Sequence, residues 1–378
     1  MSLQAWERVG MLEREIALYL RLQQLGVRVS FVTYGNSSEL KYAERLKGIN
    51  ILCNRWHLPI PIYEQWLPWL HAPALLRAHL FKSNQISGAD VALQAARFWH
   101  KPFIARGGYL YSIHTENQYG KDSPITQNAV RIEKKVYTQA NHIIVTAPFM
   151  VEFIHNQYQI HPQNITIIPN YVDTQLFKPS INQPENGRHL CFIGRLEKQK
   201  NVDSLLEALG GLDATIDIVG SGSLEEELRK KAAEIGVAAQ FLGNLPHTSL
   251  PEVINRAALY VQPSLYEGHP KTILEAMACG KAVLGGNSPG IREVIQHGTN
   301  GWLCGTTAQE IRQAILELLG DSALRRKLGE NAHNYVLHHC SLDKVSELEI
   351  ALYYNLLNNF KKQNNILNKI IKKRFPSS

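Results

Sequence analysis

Residues 259–284 read LYVQPSLYEGHPKTILEAMACGKAVL. The β-branched and aromatic opening, Leu259–Gln262, has the character of a buried strand. Pro263 and Gly268 punctuate a loop, and Lys271–Cys279 then places Ile273, Leu274, Ala276 and Met277 at helical spacing. Gly280 is a usual residue just past a helix end, and Ala282–Leu284 starts another strand. Strand, loop, helix and strand in this order make one parallel unit, because two strands joined through a covering helix return in the same direction.

The same alternation extends in both directions. Strand-like runs occur at Val27–Thr33, Ile49–Leu52, Phe103–Ala105, His142–Val145, Ile165–Ile168, Leu190–Ile193 and Thr215–Val219. Amphipathic stretches at Met11–Gln24, Asn128–Gln139, Leu224–Ile235 and Pro251–Ala257 lie between them. The pattern predicts an α/β protein of two Rossmann-like domains whose parallel sheets face a central cleft. The Pro-flanked segment Pro169–Pro184 marks the join. The expected organisation is 1–170 for the N-terminal, acceptor-side domain, 171–348 for the second domain, and 349–378 for a C-terminal helix crossing back plus a basic tail. The chain opens with MSLQAWERVGMLEREIALYLRLQQLG, loop and helix, where such a domain normally opens with a strand. The N-terminal sheet is therefore expected to lack its first strand here, the strand being missing upstream rather than replaced.

The 378 residues, 44% hydrophobic and 19% charged, suit a two-domain globular protein. No apolar run approaches the ~20 residues of a spanning helix. The five cysteines are scattered without C-x-x-C spacing, which fits a reducing cytoplasm and neither a disulfide framework nor a zinc site. The net charge of +7 suits anionic ligands or surfaces. No zinc-finger or RNP-like pattern accompanies it, so nucleic acid is not an expected partner.

The loop of the opening stretch carries the chemistry. A helix starting near Pro270 offers the N–H groups of Gly268, His269, Lys271 and Thr272 to an anion, reinforced by the helix dipole. Glu275 lies one turn in and tilts back toward this end, while Glu267 precedes it. Carboxylates beside a phosphate site repel phosphate but accept hydrogen bonds from flanking hydroxyls. A diphosphate with hydroxyls on both sides is a nucleotide sugar. FIGRLEKQKN, residues 192–201, sets Arg195 and Lys200 after another strand, suited to a diphosphate as a fork and a point charge. The bland reading of each is a solvated surface charge. A hydrolase with Glu267 and Glu275 as acid and base needs neither the Arg–Lys pair nor the phosphate-type helix start.

The segments NYVDTQLFKP, FIGRLEKQKN, IVGSGSLEEELRKKA, FLGNLPHTSLPEVINRAALYVQPSLYEGHPKTILEAMACGKAVLGGNSPGIREVI and HGTNGWL span roughly Asn170 to Leu303. In order and spacing they resemble glycosyltransferase family 4 (glycosyl transferases group 1), retaining enzymes of the GT-B fold. VGMLEREIALYLRLQQLGVRVSFVTYG resembles the family's first helix and second strand, with Gly10 left from its glycine-rich loop. The resemblance implies a hexosyltransferase moving sugar from a nucleoside diphosphate to a hydroxyl of a polysaccharide, glycolipid or lipid-linked glycan. Glu267, Arg195 and Lys200 would be catalytic. Glu275, Gly268, His269, Lys271, Thr272, Gly194, Gly10 and Arg106 would bind substrate, and Phe241–Pro246 would border the base. Arg106 and the glycines after it stand where many members carry a histidine, so that histidine's role is not transferred. Asn201 stands where the family often has glycine. No Asp-x-Asp occurs, so neither metal nor other cofactor is expected. The alternatives are a nucleotide-sugar epimerase on the same fold and an inactive or truncated member that binds nucleotide only. The expected location is cytoplasmic, with the basic tail beyond Lys361 suited to the inner face of a membrane.

Overall fold

The computed structural model describes residues 2–180 and 186–374. The chain divides into two compact units, one of residues 22–168 with 346 onward, the other of residues 2–21 with 169–345.

In the first unit, β1 (Ser30–Val32) pairs in parallel with β2 (Asn50–Leu52). A separate parallel sheet runs β3 (Phe81–Lys82), β4 (Phe103–Gly107), β5 (His142–Val145), β6 (Ile165–Ile167) in that spatial order. Among the described residues no strand joins the two sheets. Every residue of β4 is buried, as befits a strand covered on both faces. Its core includes Ile86, Leu93, Tyr137, Ile143 and Met150. Buried Glu133 accepts from the N–H groups of Tyr111 and Ser112 (2.7 and 3.2 Å) and from the Tyr158 hydroxyl (2.7 Å). It thereby satisfies the start of the helix Tyr111–Tyr119, which no side chain at Leu110 caps. The final helix, Leu342–Arg374, places Glu349 in this unit, where its carboxylate takes a 2.6 Å hydrogen bond from Lys82. Burial pulls the Lys82 ammonium below the usual lysine range, against the pull of Glu349. The basic side chains of the tail past Lys362 lie outside the described residues.

Burial also sets the charge state of His71. The Tyr63 hydroxyl lies 2.7 Å from its Nε2, Trp56 meets it edge-on, and desolvation with nearby Arg55 pushes its pKa down to about 4. The unfolded chain binds a proton near pH 6.5 that the folded imidazole refuses. Stability from this group is therefore complete above about pH 6.5 and lost as pH falls toward 4, by roughly 3 kcal/mol. Chemical denaturation at pH 7 and pH 4.5 should show this loss, and His71→Gln should flatten the difference.

The second unit is one six-stranded parallel sheet of β7 (Asn186–Ile193), β8 (Thr215–Val219), β9 (Ala238–Gly243), β10 (Ala257–Gln262), β11 (Ala282–Gly286) and β12 (Trp302–Cys304). Spatial order is β12-β11-β10-β7-β8-β9, so the winding reverses between β7 and β10. In sheets of this kind ligands bind outside the carboxyl ends of the two strands where the winding reverses. One core lies on each face, around Tyr260, Ile273 and Met277 on one side and Phe192, Leu206 and Ile315 on the other.

Several boundaries differ from the sequence reading. Strands β3, β9 and β12 lack a conspicuous β-branched run and are formed by pairing with a neighbour. Val27–Thr33 contracts to β1. Residues 3–8, read as loop, form a helix whose Ser2 side chain caps Ala5 N–H at 3.1 Å. Residues 2–21 do not group with the rest of 1–170 but with the second unit, where Leu3 and Leu12 are buried. The described cysteines are all free and buried. Among the described residues no helix is long and apolar enough to cross a membrane.

Candidate active site

Two loops converge where the winding reverses. The first leaves β7 as Gly194-Arg195-Leu196 and passes through the short turn Lys198–Lys200 into the helix Val202–Leu209. Asn201 joins turn to helix with φ 56° and ψ 35°. This left-handed conformation explains the residue: glycine adopts it freely and asparagine tolerates it best among the others. Its amide also donates to the Thr306 carbonyl at 2.8 Å. The neighbouring loop after β8 comes so close that a Cβ on Gly222 would collide with the Leu196 carbonyl. Gly194 packs over the Phe192 ring and the Lys200 side chain, and Arg195 projects into solvent.

The second loop leaves β10 and reaches the helix Lys271–Ala278. Pro270 stands at the N-cap, and no side chain caps this end. The first-turn N–H groups consequently have no intrahelical partner. Asn170 donates to the carbonyl of buried His269 at 2.7 Å and fixes the approach. Half-buried Gly268 separates His269 from Glu267, whose N–H donates to the Pro289 carbonyl at 2.9 Å. Gly290, at φ 83°, permits that approach, since a Cβ there would overlap the Glu267 backbone.

Lys200 and Glu267 meet in a direct ion pair, each side chain largely buried. Gln262, at the end of β10, donates to the same Glu267 oxygen at 2.8 Å. The Gln262 side-chain oxygen, Oε1, in turn accepts from the Tyr260 hydroxyl at 2.9 Å and the Thr272 hydroxyl at 2.8 Å. Thr272 is thus tied by its hydroxyl to the scaffold that orients Glu267. The Arg195 carbonyl accepts from Glu197 N–H at 3.0 Å, while its exposed side chain makes no hydrogen bond or ion pair among the described residues.

Glu275 is 1% exposed. One oxygen, Oε1, lies 2.8 Å from His247 Nε2 and 3.8 Å from Arg14 Nη1. The other, Oε2, is buried with no hydrogen-bond partner, as are Arg14 Nε and His247 Nδ1. Buried polar atoms without partners are rare in native structures and mark a place where a ligand or water completes the bonding. Arg14 is brought here by the helix Leu12–Gln24: the Tyr171 hydroxyl donates to its carbonyl, and Lys271 Nζ donates to Glu15 at 2.7 Å. Gly10, at φ 69°, passes close to the Leu245 carbonyl, within the Phe241–Pro246 segment that ends β9 and leaves it. Phe241 itself lies under the Arg229 guanidinium, 4.7 Å from ring centre.

The second unit therefore brings Lys200, Glu267, Thr272 and Glu275 together at the loops and helix start after β7 and β10, with Gly194, Gly268 and His269 on those loops, Lys271 in the first turn of the helix, and Arg195 exposed on the β7 loop. Arg106 belongs to the first unit, at the end of β4, where it is buried and donates to the Asn84 carbonyl at 3.1 Å. Sequence reasoning missed Gln262, His247, Arg14 and Glu15. A glutamine inside an apolar strand was a usable signal for the first. Nothing in local pattern separates the other three from solvated polar residues.

Comparison with known proteins follows the same division. A family model described as Glycosyl transferases group 1 matches residues 173–335, and one described as Glycosyltransferase Family 4 matches residues 16–176. An uncharacterised glycosyltransferase of Methanocaldococcus jannaschii is 26% identical over 264 residues, 67% of either chain. Further curated relatives are matched over about three fifths of their own length. Among solved structures, sucrose-phosphate synthase of Thermosynechococcus elongatus has a TM-score of 0.77 at 19% identity, covering 90% of this chain and 92% of that one. HepE of Anabaena, solved with UDP and glucose, has a TM-score of 0.73 at 18% identity, covering 90% and 94%.

Proposed function

Because the chain belongs to glycosyltransferase family 4 and has the GT-B fold, we propose that its second unit binds a nucleoside-diphosphate sugar at the carboxyl ends of β7 and β10. The reaction would transfer the hexose, with retention, to a hydroxyl of a glycan or lipid-linked acceptor. The observation that carries this reading is Glu275: a fully buried carboxylate with one unpaired oxygen, one turn inside an uncapped helix start. Such an oxygen accepts from a ribose hydroxyl while the helix start receives the adjoining phosphate.

Arg195 and Lys200 would take up charge on the departing diphosphate, with the N–H groups around Lys271 and Thr272. Glu267, held by Lys200 and Gln262, would face the transferred sugar. These groups supply the counter-charge from the protein, so no metal is proposed. Retention, the hexose and the acceptor follow the family resemblance. A cytoplasmic setting suits the free cysteines, and the basic tail is a candidate membrane contact.

A thermal-shift panel of UDP, GDP, ADP and their sugars tests the donor site. The HepE complex with UDP-glucose makes the uridine series the first choice. A ligand at a hundred times its Kd should add about 2.7 kcal/mol of stability. Failure of every diphosphate nucleotide to stabilise the chain would remove the proposal.

His247 serves as a positioning residue, holding Oε1 of Glu275 so that Oε2 faces the ligand. His247→Ala should weaken UDP binding roughly tenfold, the worth of one charged hydrogen bond, while leaving 2′,3′-dideoxy-UDP binding nearly unchanged. Calorimetric titration of both ligands on both proteins measures this, and equal losses for the two would indicate a general packing defect.

A further inference from the structure

The helix Ile60–Leu70 of the first unit carries an apolar stripe that the fold leaves uncovered. Tyr63 and Leu67 turn into the core. Ile62, Trp66 and Trp69, spaced i, i+4 and i+7, share another side and are 45%, 52% and 57% exposed. The stripe continues past this helix. Trp69 meets Phe98 at 4.4 Å between ring centres, and Leu76 on the helix Ala72–Arg77 is 55% exposed. Single exposed apolar residues are ordinary, but a contiguous run of large ones marks an interaction surface.

The surrounding charge says what covers it. Arg77 and Arg97 are exposed and adjoin Leu76 and Phe98 in sequence, while Arg55 lies over the ring of Trp56, 4.9 Å from its centre. The acid of the Ile60–Leu70 helix, Glu64, is partly buried and shares a hydrogen bond with Tyr34. Exposed tryptophans within a cationic rim fit a lipid interface, where indoles settle at headgroup depth and guanidinium groups meet phosphate. We propose that this face docks the protein on an anionic bilayer, with Trp66 and Trp69 entering the headgroup region and the arginines holding anionic lipid around them. The proposal does not depend on the donor site.

Cosedimentation of the full chain with phosphatidylcholine vesicles, with and without phosphatidylglycerol, tests it. The protein should pellet with the anionic vesicles, and Trp66→Ser with Trp69→Ser should weaken partitioning at least about tenfold. Both side chains are about half exposed, and a melting curve matching that of the native chain establishes that the double variant is folded. Brominated acyl chains should quench the native fluorescence far more than that of the double variant. Arg77→Gln with Arg97→Gln should weaken binding chiefly at low salt. Absence of vesicle binding, or undiminished binding by the tryptophan variant, overturns the proposal. So does a dimer in sedimentation velocity that the tryptophan substitutions dissolve, since a second copy would then be what covers the stripe.

Discussion

Arg195→Ala and Lys200→Ala are each expected to lower turnover by about 10²–10³-fold, equivalent to ~3–4 kcal/mol of barrier, whichever nucleotide sugar is accepted. Departure of a diphosphate puts charge on its oxygens as the glycosidic bond breaks, and a fixed cation helps most there. The two variants differ in what else they disturb. Arg195 is exposed and unpaired, so its removal should leave stability within about 0.5 kcal/mol. Lys200 holds Glu267, so its loss also strands a largely buried carboxylate. Steady-state rates measured beside denaturation curves separate the two effects. Near-normal turnover by both variants would dismiss the diphosphate assignment.

Glu275→Ala should do more than remove a ligand contact. Arg14 and His247 both face that carboxylate; without it the imidazole loses its partner, and the largely buried guanidinium is left with the Glu15 carboxylate, 3.7 Å from its Nε. Breaking a buried pair from one side costs about 3–5 kcal/mol. Glu275→Gln keeps the shape and one acceptor oxygen, so it should retain more stability than the alanine variant while losing discrimination for the ribose diol. Denaturant unfolding of the three proteins, paired with UDP and 2′,3′-dideoxy-UDP titrations, measures both quantities. An alanine variant as stable as the native chain would show that the carboxylate has no buried partners to lose.

The strands and helices around the site were legible because each obeys a local rule. Leu259–Gln262 is a buried strand by composition, Gly280 stops the helix, and the Arg195–Lys200 run stands after a strand. The weaker elements were not. Phe81–Lys82 is too short to show a period, and the Ala238–Gly243 strand has little β-branched content. Pairing with a neighbour, which local sequence does not specify, makes them strands.

The sequence alone determined the alternation of strand and helix, the identity of the loops after β7 and β10, and the residue types on them. These depend on spacing along the chain, through side-chain period, backbone preference and capping. Only the tertiary structure decided that Lys200 meets Glu267, that Gln262 orients it, and that residues 2–21 join the second unit. It also decided that Arg14 and His247 converge on Glu275 and that Trp66 and Trp69 remain outside. The physical reason is that burial and charge pairing act across space: an arginine at position 14 and a glutamate at position 275 have no local signal in common until the fold brings them to 3.8 Å.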